Sequence, residues 1–97
     1  MIRLDENKLN LLRSIKKNYN LDLYLFWSRV DSKKKWWDID LLVFNKNNDI
    51  SNLELSLIIE REFFKKFEEK IDVIVFWKKL DEKQEIFYNS IKKVKIC

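Results

Sequence analysis

The chain has 97 residues, 46% hydrophobic and 14% aromatic, and a net charge of +4 from 20 basic and 16 acidic residues mixed along its length; a disordered tail is thereby excluded and one packed core expected. With no His and a single Cys, imidazole-based catalysis, the usual zinc sites and any internal disulfide are excluded as well. No apolar run approaches the roughly 20 residues that cross a bilayer and nothing resembles a signal peptide, so a single cytoplasmic domain over 1–97 is expected.

The first element is a helix over 4–19. Leu4, Leu9, Leu12, Ile15 and Tyr19 recur at helical spacing. Asp5 and Glu6 open it and Lys16 and Lys17 close it, in keeping with the helix dipole. Asn20 suits the stop. Residues 21–26, Leu-Asp-Leu-Tyr-Leu-Phe, are too few for a helix and rich in strand formers, so they read as a strand. A polar, Lys-rich connection over 28–37 leads to a second strand over 38–44. Residues 45–49, Asn-Lys-Asn-Asn-Asp, form a turn, because Asn and Asp tolerate a left-handed backbone where Gly is absent.

Ser51 with Glu54 is a capping-box pattern opening a helix to about residue 69, with Leu55, Ile58, Ile59, Phe63 and Phe67 on its buried stripe. Phe64 falls off that stripe. A third strand follows over 71–76. A last helix runs from Leu80 or Asp81 to about 93, burying Ile86, Phe87, Ser90 and Ile91. The tail 94–97 adds a short edge strand. The order predicts an α+β fold: a mixed sheet of three to four strands packed by about three helices.

Chemistry concentrates at two strand starts. Asp38 and Asp40 sit one residue apart at the mouth of the apolar run Ile39-Asp40-Leu41-Leu42-Val43-Phe44, and Asp72 opens Ile71-Asp72-Val73-Ile74-Val75-Phe76. Carboxylates in such runs are costly to bury unless paired or coordinating a metal. Residues i and i+2 of a strand share a face, so Asp38 and Asp40 look into one site, and Asp72 joins them if the strands are neighbours. Convergent carboxylates suit hard divalent cations, above all Mg²⁺ held together with substrate phosphates.

The segment Leu25-Phe26-Trp27-Ser28-Arg29-Val30, then Asp38-Ile39-Asp40, then Ile71-Asp72-Val73 resembles the minimal nucleotidyltransferase domain of the polymerase-beta-like superfamily. That family carries Gly-Ser-Arg after its first strand, Asp-x-Asp on the second and a third Asp on a later one. The resemblance spans 21–76 and implies a small nucleotidyltransferase fold. It also implies two Mg²⁺ ions on Asp38, Asp40 and Asp72, with Asp72 completing the site that activates the attacking hydroxyl. Ser28 would bind the β- and γ-phosphates of ATP at a position flanked by Trp27, and Arg29 would contact phosphate or partner. Minimal domains of this kind imply an antitoxin that adenylylates a tyrosine of a HEPN-type toxin. Nucleic acid is not implied, since only the modest charge favours it.

One departure stands out. Average usage predicts about seven glycines and about five prolines in this length, and the chain has none of either, yet it has four tryptophans. Trp27 stands where the family has the Gly that lets backbone approach a triphosphate, and Trp36 and Trp37 precede Asp38. A source that reads UGA as glycine accounts for all three facts together. The competing expectation is a degenerate module with its pocket blocked, neutralising a partner by binding alone.

Overall fold

The computed structural model describes residues 6–28 and 39–96. Their elements are α1 (Glu6–Tyr19), β1 (Leu21–Ser28), β2 (Ile39–Asn45), α2 (Asn52–Phe67), β3 (Ile71–Trp77), α3 (Glu82–Ser90) and β4 (Ile91–Ile96). The strands form one mixed sheet in the order β3-β2-β1-β4, with β1 antiparallel to β2 and β4, and β2 parallel to β3. This is the expected α+β fold with three helices.

Each boundary has a local cause. Asn20 ends α1 with a left-handed φ of 56°, a conformation Asn accepts at less cost than most side chains. Ser51 caps α2, its hydroxyl accepting from the Glu54 amide, and Glu68 closes it at φ 55° with its amide donating to the Phe64 carbonyl. Asp81 and Gln84 exchange side-chain and backbone bonds in a complete capping box at the start of α3.

The turn after β2 departs from expectation. No residue in it has positive φ. Instead Asn45 Oδ1 accepts from the Asn47 amide at 2.8 Å and Asn47 Oδ1 accepts from the Asp49 amide at 2.9 Å. These side-chain mimics of a backbone turn make the left-handed conformation unnecessary. Asn45 is itself buried as the last residue of β2, and its Nδ2 donates to the Ile50 carbonyl and to Asn52 Oδ1, so its amide is satisfied.

The C-terminal third also differs. α3 stops at Ser90, and Ile91-Lys92-Lys93-Val94-Lys95-Ile96 joins the sheet beside β1, its first three residues in place of the expected end of the helix. Pairing with β1 buries Ile91 on one face of the sheet and Ile96 on the other. Ser90 is consequently exposed at a helix end, and Ile86, expected in the core, is 64% exposed on the outer side of a short helix. β1 likewise runs on past Phe26 through Trp27 and Ser28, the second of which the expected connection had claimed, since β4 gives those backbones a partner.

The main core lies between α1, α2 and one face of the sheet. Leu12 of α1, Leu55, Ile59 and Phe63 of α2, and Leu23, Leu41 and Val43 of the strands are fully buried there. Leu41, Val43, Ile71, Val73 and Val75 of β2 and β3 face this core, and Leu42, Phe44, Ile74 and Phe76 lie on the face toward α3. On that second face Phe26, Leu42 and Ile91 are buried, with Tyr24, Phe44, Phe76, Phe87 and Tyr88 packed around them. Edge-to-face contacts hold α3 down: Phe26–Phe87 at 5.6 Å, Phe76–Phe87 at 6.0 Å and Phe44–Tyr88 at 5.6 Å between centroids. With apolar residues on both faces, β2 reads as a continuous apolar run from Leu41 to Phe44, as central strands do.

Candidate active site

The sheet has one end where the termini of all four strands meet, β4 starting there opposite the last residue of β1. β2 and β3 are parallel and begin there, and antiparallel β1 finishes there. Ile39 pairs in register with Ile71, and Asp40 with Asp72. Neighbouring strands lie about 4.8 Å apart, and both aspartates fall on the α3 side of the sheet, as the alternation Asp40-Leu41-Leu42 and Asp72-Val73-Ile74 requires. Two carboxylates therefore stand side by side. Asp40, on the inner strand, is only 7% exposed, while Asp72, on the edge strand, is exposed.

The adjacency comes from the α2 crossover. It returns the chain to start β3 level with β2, so two aspartates 32 positions apart in sequence become register partners. Their position relative to α3 matters equally. The aromatic cluster covers Phe44 and Phe76 at the far ends of the two strands, and the aspartates lie beyond it, toward the strand starts.

Among the described residues, no group of three or more His, Cys, Asp or Glu side chains comes together to hold a metal. Two members of the expected set, Asp40 and Asp72, are brought together. Asp38 and Arg29 lie outside the described residues. Trp27 and Ser28 are the last two residues of β1, their backbones opposite Lys92 and Ile91 of β4, which places them at the same end of the sheet as the aspartates. An all-oxygen pair of adjacent carboxylates, one recessed and one open to solvent, fits a hard divalent cation.

The other features of this face are ones that motif reading did not single out. Tyr24 stacks edge-on against Tyr88 at 6.1 Å, and the Lys93 ammonium sits 4.0 Å over the Tyr88 ring while donating to the Tyr88 carbonyl at 2.9 Å. The available signal was the alternation of Tyr24 with Leu23 and Leu25, which marks a second packed face. Asp22, without an assigned role in the sequence, pairs with Lys46 at 3.2 Å across the far end of the sheet.

Burial pushes the Tyr24 hydroxyl above its ordinary pKa of 10.0, helped by hydrogen bonding to Tyr88, by the Tyr88 charge and by Asp22. The folded state thus holds this proton more tightly than the unfolded chain does. Its contribution to stability is complete below about pH 10 and is lost as pH rises through the raised value. Urea melts at successive alkaline pH values should show a shallower loss for Tyr24→Phe than for the parent; equal slopes would assign the loss to other groups.

Among the described residues, no helix is long and apolar enough to cross a membrane. Compared with family models, with curated proteins and with solved structures, the chain matches none.

Proposed function

We propose that the chain is a Mg²⁺-dependent nucleotidyltransferase that moves AMP from ATP to a hydroxyl, acting in the cytoplasm as an antitoxin on a tyrosine of a HEPN-type toxin. The observation that carries this reading is the register pairing of Asp40 with Asp72 at the sheet end where β1 finishes in Trp27-Ser28. Asp40 and Asp72, with Asp38, would hold the metal. Bound Mg²⁺ supplies neutralising charge for the transferring phosphoryl group and lowers the pKa of the attacking hydroxyl.

The protein's own residues do the rest. The recessed Asp40 offers a fixed anionic point against a rigid inner strand, so its carboxylate needs little reorganisation on binding. Asp72, open to solvent on the edge strand, stands on the side from which a bulky acceptor can approach. Ser28, the last residue of β1, is the position to which the family resemblance gives phosphate binding.

Trp27 supports a second reading, a binding module with the same fold that neutralises its partner by covering it. Titration calorimetry of ATP with Mg²⁺ separates the two. The chain as written should bind weakly, and Trp27→Gly should bind at least about tenfold more tightly, a gain of about 1.4 kcal/mol. Binding by neither form sinks the enzyme reading. The same argument expects mass spectrometry of the protein from its natural source to read glycine at position 27.

A further inference from the structure

α2 carries a second apolar stripe that the fold leaves uncovered. Leu57 is 54% exposed and Phe64 55% exposed, both on the side of the helix away from the buried Leu55, Ile59 and Phe63. At 3.6 residues per turn, Leu57, Glu60, Arg61 and Phe64 fall within an arc of about 100°. These four line one wall of a cleft of about 480 Å³ that reaches Asp72 at the start of β3.

The order along this face is symmetrical in chemistry: apolar, acidic, basic, apolar, at positions 57, 60, 61 and 64. Glu60 and Arg61 are sequence neighbours and cannot face each other on one helix. Their own i±3 and i±4 neighbours offer no opposite charge: Ser56, Leu57, Phe63 and Phe64 surround Glu60, and Leu57, Ile58, Phe64 and Lys65 surround Arg61. Among the described residues, no ion pair involves either one.

We infer that this face of α2 is an isologous interface with a second copy of the chain. Laid antiparallel about a two-fold axis passing between positions 60 and 61, two α2 helices place Leu57 of one copy against Phe64 of the other. The same operation sets Glu60 of each copy against Arg61 of its mate, so both charges left without partners in the monomer are matched twice over. A two-fold axis demands this kind of self-complementary patch. The antiparallel arrangement also opposes the two helix dipoles favourably. One pair of 16-residue helices makes a small interface, so the dimer is weak and depends on concentration. The inference is independent of the catalytic reading.

Sedimentation equilibrium of the full chain across a wide concentration range tests it, with circular dichroism confirming that each variant is folded. The parent should move toward twice the monomer mass as concentration rises. Glu60→Arg puts like charges opposite each other at two places and should weaken association at least about tenfold. The double variant Glu60→Arg/Arg61→Glu rebuilds both pairs in reverse and should return within about threefold of the parent. Leu57→Asp should stay monomeric. A parent that is monomeric throughout overturns the proposal, as does a dimer indifferent to Leu57→Asp. A charge-reversed double variant no better than Glu60→Arg overturns the antiparallel register.

Discussion

Asp40→Asn is expected to lower Mg²⁺-dependent adenylyl transfer by about a thousandfold, measured in the Trp27→Gly background where nucleotide access is not in question. Asparagine keeps the size and shape of a side chain that is 7% exposed, so the sheet should fold unchanged. What disappears is one negative charge at the point where, on the proposed function, a divalent cation and a triphosphate would be held together. Loss of several kcal/mol of metal-dependent stabilisation corresponds to about three decades of rate at 1.36 kcal/mol per decade. Asp72→Asn should cost a similar amount, and the double variant little more, because groups that act as a unit are not additive. Radiolabel transfer to the partner protein gives the reading. Full transfer by Asp40→Asn would remove the carboxylate pair from the chemistry. Neutralisation that survives while no transfer is detectable from any form would point to the covering module.

Phe63→Ala should cost about 3–5 kcal/mol of stability, which is a third or more of what many domains possess. Phe63 is fully buried at the centre of α2, and its ring meets Phe67 at 5.1 Å between centroids. It belongs to the cluster that joins α1, α2 and the sheet, so the cavity left by truncation cannot close without moving a helix. The next residue is the control. Phe64→Ala removes a ring of the same size that is 55% exposed, and at concentrations where the chain is monomeric it should change stability by about 0.5 kcal/mol or less. Urea melts of the two variants decide the matter: comparable losses would place the core on a different face of α2 from the one described.

How far these features could be read from residue order varies with their physical origin. Periodicity found α1, β1, β2, α2 and β3, because each has a one-sided or continuous apolar pattern and a local stop such as Asn20, Ser51 or Asp81. It failed over 91–93, expected as the end of α3, where helix and strand patterns overlap, while the edge strand expected after them is present and starts earlier. There the outcome was decided by a partner 60 or more positions away, since β4 exists by pairing with β1. The exposed Ile86 has a different cause: α3 packs on the sheet through Phe87 and Tyr88, and the position before them falls off that face. For the candidate site, the residue types and the i, i+2 spacing of Asp38 and Asp40 were visible in the string. The partnership of Asp40 with Asp72 was expected only on the condition that the two strands are neighbours, and the register that meets it depends on how α2 lies across the sheet and on nothing local to either aspartate.

The two outer strands of the sheet differ in a way that bears on how the molecule survives at high concentration. β4 presents Lys92, Lys93 and Lys95, three charges in six residues, and lysines of this kind discourage another chain from pairing with a free strand. β3, at the opposite margin, reads Ile-Asp-Val-Ile-Val-Phe-Trp, with one charge near its start and none after it. Short segments of that composition are the ones that stack into cross-β aggregates when they escape their fold. The hazard is therefore lopsided: whenever α2 lifts from the sheet, the exposed strand that templates misassembly is the one that carries Asp72, and the stretch of chain most exposed to selection against aggregation coincides with half of the candidate site.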